Sequence, residues 1–201
     1  MKVKSLMITD PITITEDVSI QEAIKIMQLN SIRHLPVVGS GNILKGFITL
    51  NDSKLGLIPS MLGDVTLKDL MVANPVTVGP EDDIEAAAQL IYHHKIGGMP
   101  VVSGEKLVGI ITETDILGAF IDMMGILSGT SRLDVVIGDK PNSLETVLNI
   151  IEKNGGEVIN AGRTGQRTGK KIFYFRLGRC NTRLIRKALE KSGFEVVSAL
   201  D

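Results

Sequence analysis

Tryptophan is missing from this 201-residue chain, and phenylalanine and tyrosine together supply only seven aromatic side chains. A surface that stacks single-stranded bases needs more aromatic faces than that, so nucleic acid is not an expected partner. Cys180 is the one cysteine, which excludes an intrachain disulfide and a thiolate metal cluster. His34, His93 and His94 have no further ligands at metal-binding spacing, so no metal is expected either. Also absent is an apolar run of the roughly 20 residues that a membrane helix needs. Met1-Lys2-Val3-Lys4-Ser5 leads into a polar turn and not into the apolar core of a secretion signal, so a cytoplasmic protein with no membrane partner is expected. No nucleophile stands with a base and no paired catalytic carboxylates are recognisable, so an enzyme is not expected.

What is present is a hydrophobic content of 43%, enough to bury real cores. The net charge of −1 hides a split: residues 1–129 hold 9 Lys/Arg against 15 Asp/Glu, and residues 130–201 hold 13 against 8. That shift marks a domain boundary near residue 129. The basic charges of the last third are spread over loops and both predicted helices, which is no nucleic-acid stripe.

The first 129 residues repeat themselves. Leu6-Met7 and Pro11-Ile12-Thr13 recur 64 positions later as Leu70-Met71 and Pro75-Val76-Thr77, and ten of 33 positions are identical between residues 6–38 and 70–102. In each copy a capped helix follows, with Ile20, Ala23, Ile24 and Met27 on one face of the first and Ile84, Ala87, Ala88 and Ile91 on one face of the second. Next come the Pro-containing strands His34-Leu35-Pro36-Val37-Val38 and Gly98-Met99-Pro100-Val101-Val102. After a glycine turn each copy reads Gly-apolar-apolar-Thr-x-x-Asp, as Gly46 to Thr49 and Asp52, and as Gly109 to Thr112 and Asp115. Each unit is therefore strand, helix, strand, strand, helix, too small to stand alone without its twin.

Thr-x-x-Asp at a helix start has two readings. It is a capping box that satisfies backbone N–H groups. It is also a hydroxyl and a carboxylate beside exposed amides, a set able to hold a ribose and a phosphate.

These pieces together resemble the CBS domain (the cystathionine β-synthase type), and the two copies resemble the tandem CBS pair over about residues 3–125. The resemblance implies an α+β fold in which two CBS units, 1–64 and 65–129, each a small sheet plus helices, form a pseudo-twofold pair with two clefts. It implies an adenosine-containing ligand such as AMP, ATP or S-adenosylmethionine. Asp52 and Asp115 would meet ribose hydroxyls, and Thr49 and Thr112 phosphate or ribose. The adenine slots would be lined beside Pro36 and Pro100 and by segments containing Pro11, Ile12, Pro75 and Val76. Arg33 and His34 precede the first Leu-Pro strand where the second copy has Gly97 and Gly98, so the clefts are expected to differ, with more phosphate charge tolerated near Arg33. Arg33 could equally be a solvated loop cation, and His34 a packing residue. Phe120, Met123 and Met124, on the helix after the second Thr-x-x-Asp, are candidates for a homodimer face.

Residues 130–201 change pattern. A strand over 132–137, a helix from Asn142 or Ser143 through Ile151, strands over 157–161 and 172–177, a helix over 182–191 and a strand over 194–199 give the order βαββαβ, a ferredoxin-like plait. With Asp139 to Leu144 in its first loop this region resembles an ACT domain, which implies an amino-acid ligand at a dimer interface. Asn142 stands where that loop has a glycine. The run Gly165 to Lys171 evokes a phosphate loop but is one residue short and lacks the Ser/Thr after lysine, so a hairpin turn is expected. The whole chain resembles the acetoin-utilisation B type of CBS-plus-ACT regulatory proteins, and a non-catalytic ligand sensor is expected. The alternative is a structural oligomerisation module without nucleotide.

Overall fold

The helical face read from the repeat is the buried one. In the computed structural model, α1 (Ile20–Leu29) starts at Ser19, whose hydroxyl accepts from the Glu22 N–H at 3.1 Å, and buries Ile20, Ala23, Ile24 and Met27. Its twin α4 (Ile84–His94) buries Ile84 and Ala87, while Ala88 and Ile91 stay partly exposed. The structure describes residues 1–55, 65–125, 130–138, 141–163 and 170–201. Most of the expected connector helix between the copies, most of the hinge after Gly125, Asp139-Lys140 and the 165–169 hairpin lie outside the described residues. The chain divides into two units, Met1–Leu117 and Gly118–Asp201.

In the first unit the copies repeat down to single hydrogen bonds. β2 (His34–Val38) pairs antiparallel with β3 (Leu44–Thr49), His34 opposite Thr49, with a bulge between Val37 and Val38. β4 (Gly98–Ser103) pairs with β5 (Lys106–Thr112), Gly98 opposite Thr112, with its bulge at the matching place between Val101 and Val102. Ile14 makes a parallel bridge to Val37, and Val78 makes the same bridge to Val101. The turn and short strand that Asp10-Pro11-Ile12-Thr13-Ile14 predicts reduce to this bridge at Ile14; β1 lies earlier, at Ile8–Thr9.

Each copy gives its opening segment to the other's sheet. β1 pairs with β5, Ile8 opposite Ile110, and in the mirrored place Val72 and Phe47 exchange backbone bonds of 2.9 and 3.0 Å. The core crosses the copies accordingly: Leu67 and Met71 join Met27, Leu35, Val37 and Ile48 in one cluster. Each fully buried aliphatic side chain of this kind contributes about 1.5–3 kcal/mol. The crossing leaves no space at two matching glycines, since a Cβ on Gly46 would lie 2.6 Å from the Met71 sulfur and one on Gly109 2.9 Å from the Ile8 carbonyl oxygen.

Two short helices, α2 (Leu50–Leu55) and α3 (Leu67–Leu70), follow β3 and open the second copy. The helix α5 (Glu113–Met123) begins directly after β5 and spans the division between the units. The second unit then runs β6 (Ser131–Val136), α6 (Ser143–Lys153), β7 (Val158–Arg163), β8 (Ile172–Leu177), α7 (Thr182–Lys191) and β9 (Glu195–Leu200). Its antiparallel sheet has the order β7-β8-β6-β9. Leu133, Val135, Phe175 and Leu177 pack with Val147 and Ile151 of α6 and with Ile185 and Leu189 of α7. Asn142 precedes α6 with φ +61°, the left-handed conformation that asparagine tolerates best after glycine. Among the described residues no helix is long and apolar enough to cross a membrane.

Candidate functional site

Both Thr-x-x-Asp turns close in the same way, because each sits where a strand passes straight into a helix whose first N–H groups need acceptors. The Thr49 N–H and Oγ1 donate to Asp52 Oδ2 at 3.2 and 2.6 Å, and the Asp52 N–H donates back to Thr49 Oγ1 at 3.3 Å. In the second copy the Thr112 N–H and Oγ1 donate to Asp115 Oδ2 at 2.8 and 2.7 Å, and the Asp115 N–H reaches Thr112 Oγ1 at 3.4 Å. The capping reading is therefore realised in both. It engages one carboxylate oxygen; Oδ1 takes no part in these bonds.

Among the described residues, a large cleft lies beside the first turn. A cavity of about 1070 Å³ opens beside Thr49 and Asp52, with Arg33, His34 and Phe47 from the first copy and Asn74, Pro75, Val76, Gly98 and Glu113 from the second. That volume suits a nucleotide-sized molecule. Thr112 and Asp115 line neither this cleft nor the second cavity, a space of about 180 Å³ that includes Pro11, Asn42, Leu107 and Val108. Ile12 is 41% exposed and lines neither. The structure thus brings Arg33, His34, Thr49, Asp52, Pro75, Val76 and Gly98 together, and leaves Pro11, Ile12, Thr112 and Asp115 outside that group.

The cleft has a stacked wall. His34 lies on Phe47, ring centroids 5.7 Å apart and planes within 16°. Gly97 makes room for it, because a Cβ there would sit 3.0 Å from His34 Nε2. Gly98 is tight for a different reason: its Cβ would meet the Ile111 carbonyl oxygen and Thr112 Cγ2, both at 3.1 Å, across the strand pair. Burial, and then the Arg33 guanidinium, push the His34 pKa below the ordinary histidine value, against the weaker opposite pull of Glu113 and Asp52. Arg33 Nη2 lies 3.7 Å from Glu113 Oε1.

Several lining residues escaped the sequence reading. Phe47 could have been found, since it is two residues before Thr49 on one strand and so faces the same side. The place of His93 and His94 at a helix end predicts caps on its last carbonyls, yet His93 lines the cleft and meets Tyr92 edge-on at 5.6 Å. The helix instead ends at Lys95, in left-handed backbone at φ +53°, whose N–H bonds the Ile91 carbonyl. Glu113, directly after the second Thr, gave no signal because its partner is a residue of the other copy.

A homoserine O-acetyltransferase of Methanohalobium evestigatum is 35% identical over 115 residues, 57% of this chain and 23% of that protein. The chain spans about a quarter of the length of such curated relatives. Among solved structures, the CBS domain pair of protein MJ0100, in complex with 5′-methylthioadenosine and S-adenosyl-L-methionine, is 32% identical with a TM-score of 0.56, over 60% of this chain and 95% of that one. A Vibrio cholerae protein assigned to acetoin utilization (AcuB) is 29% identical with a TM-score of 0.56, over 63% of this chain and 94% of that one. The CBS domain model matches residues 3–52 and 67–122. The match takes in more than half of the chain and both copies of the repeat, and the chain belongs to the CBS domain family as a tandem pair.

Proposed function

We propose that the CBS pair is a non-catalytic sensor that binds an adenosine-containing ligand, AMP, ATP or S-adenosylmethionine, in the cleft at Asp52. The observation that carries this is the cleft itself, shared by both copies and holding a carboxylate with one oxygen outside its cap. In this reading Asp52 Oδ1 accepts from the ribose hydroxyls, the backbone near Pro75, Val76 and Gly98 lines the base, and Arg33 faces the phosphate or its equivalent. The adenosyl ligands of the MJ0100 pair support the ligand class. A site at Thr112 and Asp115 would require that turn to open onto a cavity.

The domains run 1–64, 65–129 and 130–201. The β-α-β-β-α-β order and the strand order β7-β8-β6-β9 support a ferredoxin-like, ACT-like last domain. Ligand binding is relayed to it, to an identical partner or to a regulated protein, with a coupling of about 1–3 kcal/mol. Met123, exposed on α5, offers apolar surface for the homodimer together with the partly exposed Phe120 and Met124. A role in acetoin utilisation follows only as shared architecture with the Vibrio protein.

Calorimetry with adenosine, AMP, ATP and S-adenosylmethionine tests the reading. Binding is expected in the wild type, weakened about 10- to 150-fold by Asp52→Ala through loss of a charge-assisted bond of about 1.5–3 kcal/mol. Absence of binding by all four at millimolar concentration overturns it. The rival is a structural oligomerisation module, favoured by one observation: both Thr-x-x-Asp pairs already bond each other. It predicts that none of these ligands shifts the melting temperature.

A further inference from the structure

We propose that Glu113 is an internal competitor for Arg33 and so sets how strongly the cleft prefers a phosphate-bearing nucleoside to an uncharged one. The inference rests on the nucleoside reading of the cleft and adds a specificity-determining residue to it.

The repeat locates the device. The Leu50 N–H donates to the Arg33 carbonyl at 2.9 Å, and the Glu113 N–H donates to the Gly97 carbonyl at 3.0 Å. Leu50 and Glu113 are thus equivalent positions, as are Arg33 and Gly97. The first copy supplies a cation and an apolar side chain; the second supplies no side chain and an anion. The charges meet because both residues face one cleft, with Arg33 Nη2 3.7 Å from Glu113 Oε1.

That pair is built to exchange. Its side chains are 65% and 55% exposed, and solvent-exposed pairs hold weakly. A single contact at 3.7 Å also leaves unused the planar donor fork that guanidinium offers to an oxyanion, a fork a phosphate fills in bidentate fashion. Apart from its histidines, the lining carries Arg33 and Lys95 against Asp52 and Glu113. An entering phosphate must therefore draw Arg33 away from one carboxylate. An uncharged nucleoside makes no such demand, so Glu113 acts on one ligand and spares the other.

The test measures adenosine and AMP affinities by calorimetry on the full chain, as wild type, Glu113→Gln, Arg33→Gln and the double variant. Glu113→Gln is expected to raise the AMP-to-adenosine affinity ratio about three- to tenfold, and adding Arg33→Gln to erase that gain. A ratio that stays level or falls in Glu113→Gln overturns the proposal, as does a gain that survives loss of Arg33. The opposite role, Glu113 receiving a cationic end, would show as weaker S-adenosylmethionine binding together with an unchanged AMP ratio. If neither adenosine nor AMP binds the wild type at millimolar concentration, the nucleoside reading has failed and takes this inference with it, an outcome distinct from a ratio that does not move.

Discussion

The two CBS copies make the same strand pair with the same register and the same bulge, and among the described residues the nucleotide-sized cleft lies beside one of their two Thr-x-x-Asp turns. Backbone hydrogen bonding therefore does not decide where that cleft lies. The differences lie in side chains at equivalent positions: Arg33 against Gly97, His34 against Gly98, Leu50 against Glu113. A duplicated scaffold keeps its fold through the positions that stayed alike and gains an unequal pair of faces through those that did not.

The sharpest way to break this comparison is to remove both aspartates in turn. Asp52→Ala and Asp115→Ala each delete a cap with the same bonds, so each should lose about 0.5–2 kcal/mol of stability in denaturant unfolding. Their effect on ligand should part company. Asp52→Ala weakens adenosyl binding by the 10- to 150-fold given above, whereas Asp115→Ala changes it by less than about threefold, a shift below 1 kcal/mol. Equal losses in the two variants would restore two equivalent sites.

A second contrast lies in the crossing glycines. An alanine Cβ at Gly109 meets the Ile8 carbonyl oxygen, part of the β1–β5 ladder, at 2.9 Å. At Gly46 the nearest atom is the Met71 sulfur, the movable part of a flexible side chain, and the Val72 carbonyl stands back at 3.2 Å. Overpacking against fixed backbone costs about 1–3 kcal/mol. Gly109→Ala is expected in that range and Gly46→Ala below it, with Gly46→Ala partly rescued by Met71→Ala. If the two variants unfold at one denaturant concentration, the crossing is looser than described.

Much of this was legible beforehand. The period of α1, the Ser19 cap, the Thr182–Lys191 helix and the order of elements in the second unit all follow from local pattern, and local pattern is what a sequence displays. The exchange of opening segments was not legible: Leu6-Met7 and Leu70-Met71 mark a repeat without saying that each packs on the other copy's glycine. The site was half legible for the same reason. Thr-x-x-Asp announces a cap in both copies, but which cap also borders a cavity depends on Arg33, Phe47, His93 and Glu113 converging from separate elements.

The smallest expected effect concerns His34, whose counterpart Gly98 has nothing to titrate. Burial first and Arg33 second depress its pKa; Glu113 and Asp52 oppose them, while His93 and Lys95 share the same cleft. The folded protein thus holds the proton less readily than the unfolded chain does. The sign follows from linkage: stability is undiminished above the ordinary histidine value of about 6.5 and declines as pH falls below it, until the folded-state pKa is passed. His34→Gln removes that slope, and since His93 and His94 are present in both proteins, the difference between the two melting curves from pH 8 to 5 isolates His34. The wild type should lose more melting temperature than the variant over that range. AMP should narrow the gap, because a phosphate beside the ring favours its protonated form. Parallel melting curves, with or without AMP, would mean that His34 is a packing partner of Phe47 and takes no part in the charge balance that separates the two copies.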